Sequence, residues 1–174
     1  MVADRDTSIE PHIPALRRYA WALCGSGHDA DDLVQDCLVR ALGRWHLRRT
    51  EASVRAWLFA ILHNGFVSDR RYAARRPNVP FEEADAPLVG PAQEHATMLT
   101  DVGTALDALP EDQRVVLLLV GVEDLSYEEA AQVLGVPVGT VMSRLSRGRE
   151  RLRRAMAGER PPATLGLAAL RRVK

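Results

Sequence analysis

Residues 126–154, SYEEAAQVLGVPVGTVMSRLSRGRERLRR, constrain the fold more than any other stretch. Ser126, with Glu129 three places later, makes a capping box at a helix start. Gly135 suits the left-handed residue that ends that helix. Val136 and Pro137 then make a turn, and a second helix follows. Ala131 is small where two helices must cross closely, Gly135 lies four residues on, and Val141 six beyond that. This small–glycine–apolar spacing specifies a helix-turn-helix. Val138, Val141, Leu145 and Leu152 fall on the core side of the second helix. Gly139, Thr140, Met142, Ser143, Ser146 and Arg147 face outward, ringed by Arg144, Arg149, Arg151, Arg153 and Arg154. A helix N-terminus lined with small residues can enter a major groove, and the flanking arginines can neutralise phosphates. Arg147 is expected to read a base edge.

The charge pattern points to the same kind of partner. The 174 residues carry no net charge, but residues 1–43 are net −3, 44–76 net +6, 77–135 net −11 and 136–174 net +8. All basic residues but Lys174 are arginines, whose planar fork suits phosphate and guanine. Two basic blocks separated by an acidic one suggest two contacts with a polyanion.

Nearly every periodic segment upstream is helical. Ile13, Leu16, Ala20 and Leu23 share one face, and Gly25 and Gly27 then break the chain. A second helix is expected from Asp29, with Asp29, Asp31 and Asp32 in its first turn, where the helix dipole favours anions. Ala30, Leu33, Val34, Cys37, Leu38, Ala41 and Leu42 form its core stripe, opposite Asp32, Gln35, Asp36, Val39 and Arg40. A third helix follows Ser53, a suitable N-cap. It has Val54, Trp57, Leu58, Ile61 and Leu62 inward and runs into Arg70, Arg71, Arg75 and Arg76 before Pro77. Residues 77–100 are proline-rich and acidic and read as an interdomain linker, about 80 Å long if fully stretched. Helices resume near Asp101, and Pro110 opens one with Glu111 and Asp112 in its first turn. The tail 159–174 is short and basic.

Several classes are disfavoured. No apolar run reaches the roughly 20 residues that span a bilayer, and MVADRDTSIEPHIP shows no secretory pattern. Cys24 and Cys37 form no CxxC pair and read as reduced core thiols. These points favour a cytoplasmic protein. The five histidines are scattered without metal-ligand spacing, and neither a phosphate-binding glycine loop nor a nucleophile elbow appears. The expectation is a non-enzyme without metal or cofactor.

DADDLVQD (29–36), RAWLFAILHN (55–64) and SYEEAAQVLGVPVGTVMSRLSRGRERL (126–152), in this order and split by a linker, resemble extracytoplasmic-function sigma factors over roughly residues 9–156. These are small sigma subunits of bacterial RNA polymerase. The resemblance implies an all-α chain of two small helical domains joined by a flexible acidic linker. Residues 1–76 would be a sigma-two domain, 77–100 the linker, 101–158 a sigma-four helix-turn-helix domain and 159–174 a basic tail. It implies a protein that binds core RNA polymerase, recognises promoter elements and promotes melting. Asp32, Gln35, Asp36, Val39 and Arg40 would dock on the clamp helices of the beta-prime subunit. Phe59, His63 and Asn64, with the loop Trp45–Ser53, would hold bases of the minus-ten element, and Arg70, Arg71, Arg75 and Arg76 would follow its phosphates. Thr140, Met142, Ser143, Arg144, Ser146, Arg147 and Arg149 would meet the minus-thirty-five element. An anti-sigma factor is an expected partner. Many members carry Asp four residues after the counterpart of Asn64, whereas this chain has Ser68. Trp57 reads as core rather than as a DNA contact. The alternatives are a stand-alone helix-turn-helix regulator, which gives no reason for the basic block at 44–76, and a sigma-like protein that sequesters an anti-sigma factor, which would not need its DNA-facing arginines.

Overall fold

The computed structural model describes residues 9–47, 53–75 and 102–157. The linker 77–100, Arg76, the loop residues 48–52 and the tail 159–174 lie outside these described residues. All regular structure among the described residues is helical.

After a short 3-10 turn, helix α1 spans Ile13–Cys24 and α2 spans Gly27–Gly43. Gly25 ends α1 at φ +71°, a left-handed conformation that glycine adopts without a Cβ penalty. The second helix starts two residues earlier than the sequence pattern suggests, because Ser26 caps it by accepting from the Asp29 amide. Helix α3, Val54–Ala74, starts at Ser53, whose side chain accepts from the Ala56 amide. Leu16, Tyr19, Ala20, Leu33, Val34, Cys37, Leu58, Phe59 and Leu62 bury the three-helix unit. Leu42, expected in the α2 stripe, is instead exposed. It lies in the last turn, where the 3-10 turn Trp45–Leu47 already leads the chain away. Gly65 lets α2 and α3 approach closely. A Cβ there would sit 3.2 Å from Leu33 Cδ1.

The second unit begins with a helical segment over 102–107, followed by α4, Glu111–Leu117. Pro110 stands just before α4 as its N-cap. The chain then widens into a π turn, Leu118–Val122, which the sequence pattern does not signal. Helices α5, Tyr127–Leu134, and α6, Val138–Met156, form the helix-turn-helix. Both halves of the capping box are present: the Ser126 hydroxyl accepts from the Glu129 amide, and the Glu129 carboxylate accepts from the Ser126 amide. Gly135 takes φ +63°. Val141 and Leu145 are buried, with Val138 and Leu152 packed against the core.

The two units are in contact. Helix α5 packs on α3 and the π turn on α1, and the buried side chains form one apolar cluster across both units. The linker composition suggested domains able to sit apart. Here, apolar faces that neither small unit covers alone are covered by the other, as burial of apolar area favours.

Candidate nucleic-acid and polymerase interface

The recognition helix carries its candidate residues as the spacing predicts, with one exception. Met142, Ser143, Ser146, Arg147 and Arg149 are exposed, and Thr140 is half-buried. The Ser143 hydroxyl donates to the Thr140 carbonyl at 3.0 Å. Arg147 folds back on its own helix, Nε donating to the Ser143 carbonyl at 3.2 Å. Pro137, the N-cap, makes no side-chain cap, so the first amides of α6 point toward whatever meets this end. Arg144 turns away from this face: its Nε lies 3.1 Å from the Asp112 carboxylate on α4. It was expected among the groove contacts. Buried Val141 three residues before it and buried Gly148 four residues after it, the latter against Leu117, place it on the flank that packs on α4.

The polymerase-docking candidates share one outward face of α2. Asp32, Gln35, Asp36, Val39 and Arg40 are all exposed, Val39 at 69%. His28 Nδ1 lies 3.2 Å from Asp32, and Arg40 donates to Asp36 at 3.2 Å. Asp32, Gln35 and Asp36 also line one wall of a cleft of about 1010 Å³, whose other walls include Phe66, Asp69 and Arg70 of α3 and Asp107 and Arg114 of the second unit.

The minus-ten candidates divide. Asn64, Arg71 and Arg75 are exposed on α3. Phe59 is fully buried, its ring 5.2 Å from that of Tyr19. His63 is mostly buried and hydrogen-bonds the Tyr19 hydroxyl through Nδ1 at 3.2 Å. This corrects the expectation that Phe59 and His63 face an unpaired strand: at positions i and i+4 they share the inward side of α3. Arg70 pairs with Glu111 across the two units. Trp57 is half-buried, edge-on to Trp45 with ring centroids 5.9 Å apart.

Asn64 has other company. It lines a hollow of about 300 Å³ with Ile61, Ser68, Arg40 and Arg44. Sequence reading had assigned Arg40 to the polymerase face and had not singled out Arg44. The only sequence signal for Arg44 was its place at the start of the basic block. The Ser68 hydroxyl donates to the Asn64 carbonyl at 2.7 Å, so Ser68 is tied to its own helix.

Electrostatics follow burial. Burial, reinforced by the charge of Arg55, holds His12 below its ordinary pKa. Burial also lowers His63, partly offset by Glu111. Both imidazoles are therefore neutral at pH 7. The Cys24 thiol is pushed up to about 11 and that of Cys37 to about 12, each mainly by burial. Neither is a reactive thiolate. Among the described residues, no group of three or more His, Cys, Asp or Glu side chains is placed to hold a metal ion, and no helix is long and apolar enough to cross a membrane.

Comparison with known proteins matches the two units separately. Residues 9–63 match the family model described as the sigma2 domain of PhyR, and residues 99–152 match that of sigma-70 region 4. The chain is 42% identical over 145 residues to the ECF RNA polymerase sigma factor EcfG of Rhodopseudomonas palustris, covering 80% of this chain and 78% of that protein. The solved sigma factor RpoE of Bartonella quintana, in complex with the anti-sigma factor NepR, superposes with a TM-score of 0.78 at 35% identity, covering 90% of this chain and 99% of that one. The structure of CnrH in complex with the cytosolic domain of CnrY gives a TM-score of 0.66 at 28% identity, covering 87% and 86%. With both helical units matched in order, and a relative of this identity matched over most of its length, the chain belongs to the ECF RNA polymerase sigma factors.

Proposed function

We propose that this sigma factor joins core RNA polymerase through the outward face of α2, with Asp32, Gln35, Asp36, Val39 and Arg40 on the clamp helices of the beta-prime subunit. In this reading α6 binds the minus-thirty-five element with Thr140, Met142, Ser143, Ser146, Arg147 and Arg149 at the groove, while Arg144 sets the tilt of that helix. Helix α3 binds the minus-ten region with Asn64, Arg70, Arg71 and Arg75, joined by Arg40 and Arg44 around the hollow at Asn64. Arg76 and the loop residues 48–52 belong to the same region of the sequence. The chain works in the cytoplasm and catalyses no reaction: the polymerase does the chemistry, and this subunit supplies binding energy and strand separation.

The observation that carries this reading is the row on α2. A valine 69% exposed among two carboxylates, an amide and a guanidinium fits a partner that buries it, and a protein that bound DNA alone would not need it. Two solved relatives are held by anti-sigma partners, NepR and the cytosolic domain of CnrY, and an anti-sigma factor is proposed for this chain as well.

The test is assembly with purified core polymerase on gel filtration. Asp36→Arg and Val39→Glu are expected to abolish co-elution while leaving the thermal melt unchanged, since both positions are exposed. Co-elution of both variants at wild-type levels would remove α2 as the docking face. A sigma-like protein that only sequesters an anti-sigma factor would also match a PhyR-type sigma2 model. Its mark would be co-elution with an anti-sigma factor and no co-elution of the wild-type chain with core polymerase.

A further inference from the structure

Glu123 is a buried charge at the junction of the two units, with a side chain only 1% exposed. The second unit contributes the carboxylate and the first unit contributes both of its cationic partners. Arg18 of α1 grips it with two parallel bonds, Nε to Oε1 at 3.2 Å and Nη2 to Oε2 at 2.9 Å. Arg55, in the first turn of α3, adds Nη2 to Oε2 at 3.4 Å. The backbone is shaped to deliver this side chain. The π turn closes with the Glu123 amide donating to the Leu118 carbonyl, and Asp124 takes a left-handed φ of +49°. Such local irregularities persist where the surroundings fix them, and they cluster at functional sites.

Arg55 also has a contact of its own besides the carboxylate. Arg55 stacks its guanidinium 5.8 Å from the centre of the Phe59 ring, and Ser53 caps the helix start beside it. Its Nε is buried with no hydrogen-bond partner among the described residues, which leave one donor of this fork unused. Arg–carboxylate and Arg–phosphate forks have the same geometry. Arg18 and Arg55 are also on the unit whose helix α3 is read as the minus-ten helix, and Glu111 of the second unit pairs with Arg70 of that helix at an exposed position.

We propose that Arg18 and Arg55 form a phosphate site for single-stranded DNA, which Glu123 occupies as an internal stand-in while the two units are closed. The inference rests on the nucleic-acid reading of α3, and it adds a ligand site and a device that masks it. Opening exchanges the carboxylate for a backbone phosphate at the same two guanidinium groups. Glu111 and Glu123 of the acidic stretch thereby act as internal competitors for arginines of the first unit. Removing one partner of a buried ion pair leaves the other charge uncompensated and strongly disfavours the closed arrangement, which is what a latch requires.

The test uses the full chain. Glu123→Gln is nearly isosteric and removes the charge, while Arg18→Gln/Arg55→Gln removes the site. Both should part the units, raising the radius of gyration by about 2 Å or more from the roughly 16 Å of a compact chain of this length. A labelled 20-nucleotide single strand at low salt should tell the two open forms apart. Glu123→Gln is expected to bind about tenfold more tightly than wild type, as one freed charge-assisted fork allows. Its plot of log affinity against log salt should steepen by about 0.7, one additional phosphate neutralised. The arginine double variant, open but without the site, should bind more weakly than Glu123→Gln. Glu111→Gln, which alters only a solvent-exposed pair, guards against misfolding and should give a smaller gain of the same sign. Unchanged size in both Glu123→Gln and the double variant would overturn the latch. No tightening by Glu123→Gln, or binding by the double variant as tight as that of Glu123→Gln, would overturn the phosphate site. None of these measurements includes polymerase, so failure here is distinct from failure to transcribe.

Discussion

Arg144 Nε lies 3.1 Å from the Asp112 carboxylate and ties the recognition helix to the first turn of α4. Asp112 sits where the α4 dipole already favours an anion. Arg147, three residues on and exposed, bonds back to Ser143 of its own helix. Two arginines of one helix thus have different work: one holds the helix and the other is free to leave it.

Replacing them should separate stability from recognition. Arg144→Ala is expected to lower unfolding stability by about 0.5 kcal/mol, a modest value because both partners are partly exposed. Arg147→Ala should leave the urea midpoint unchanged and cost about 1–3 kcal/mol in DNA binding, with relaxed specificity at one base position. Holoenzyme binding to a panel of single-base promoter variants checks this. A loss uniform across the panel would place Arg147 on a phosphate.

The turn of the helix-turn-helix depends on two residues. Gly135 at φ +63° occupies a conformation that costs an L-residue about 1–2 kcal/mol, so Gly135→Ala should destabilise by about that amount. Ser126→Ala removes one half of the capping box and should cost about 1 kcal/mol. Denaturant melts of both variants measure these losses directly, and no change in either would contradict the cap and turn described here.

Acid should weaken the fold before the carboxylates titrate. Burial holds His63, and to the same sign His12, below the ordinary value. Above pH 6.5 these groups are neutral in both folded and unfolded chains, and stability is fully present. As pH falls from 6.5 through the lower folded-state pKa, the unfolded chain takes up protons first and stability is lost. The melting temperature should therefore fall between pH 7.5 and pH 5.5, and His63→Gln should show a smaller fall. A melting temperature that rose on acidification would contradict the buried, neutral assignment.

Much of this was legible in the residues, and the exceptions have physical causes. The capping box, Gly135 and the α6 stripe are local signals, each fixed within a turn or two of helix, and the structure shows them in place. Local patterns do not say which side of a long helix a second unit will cover. Phe59 and His63 were therefore read as facing DNA when they pack on Tyr19. Gly148 carried no signal either. It is the point where α6 crosses α4, and a Cβ there would come 2.9 Å from Leu117 Cδ1. The same holds for Glu123, an ordinary surface-type residue in the sequence, whose burial depends on two arginines far away in the chain. Charge blocks indicated two basic surfaces separated by an acidic stretch, but not that the two units would meet.

As an ECF sigma factor, this chain directs RNA polymerase to promoters. Run-off transcription with purified core enzyme, the full chain and a genomic promoter library tests it most directly. Discrete transcripts that require the chain are expected, lost with Asp36→Arg on α2 and redirected or reduced with Arg147→Ala on α6. Absence of initiation from every promoter, by a chain shown to be folded and free of inhibitors, would contradict the account.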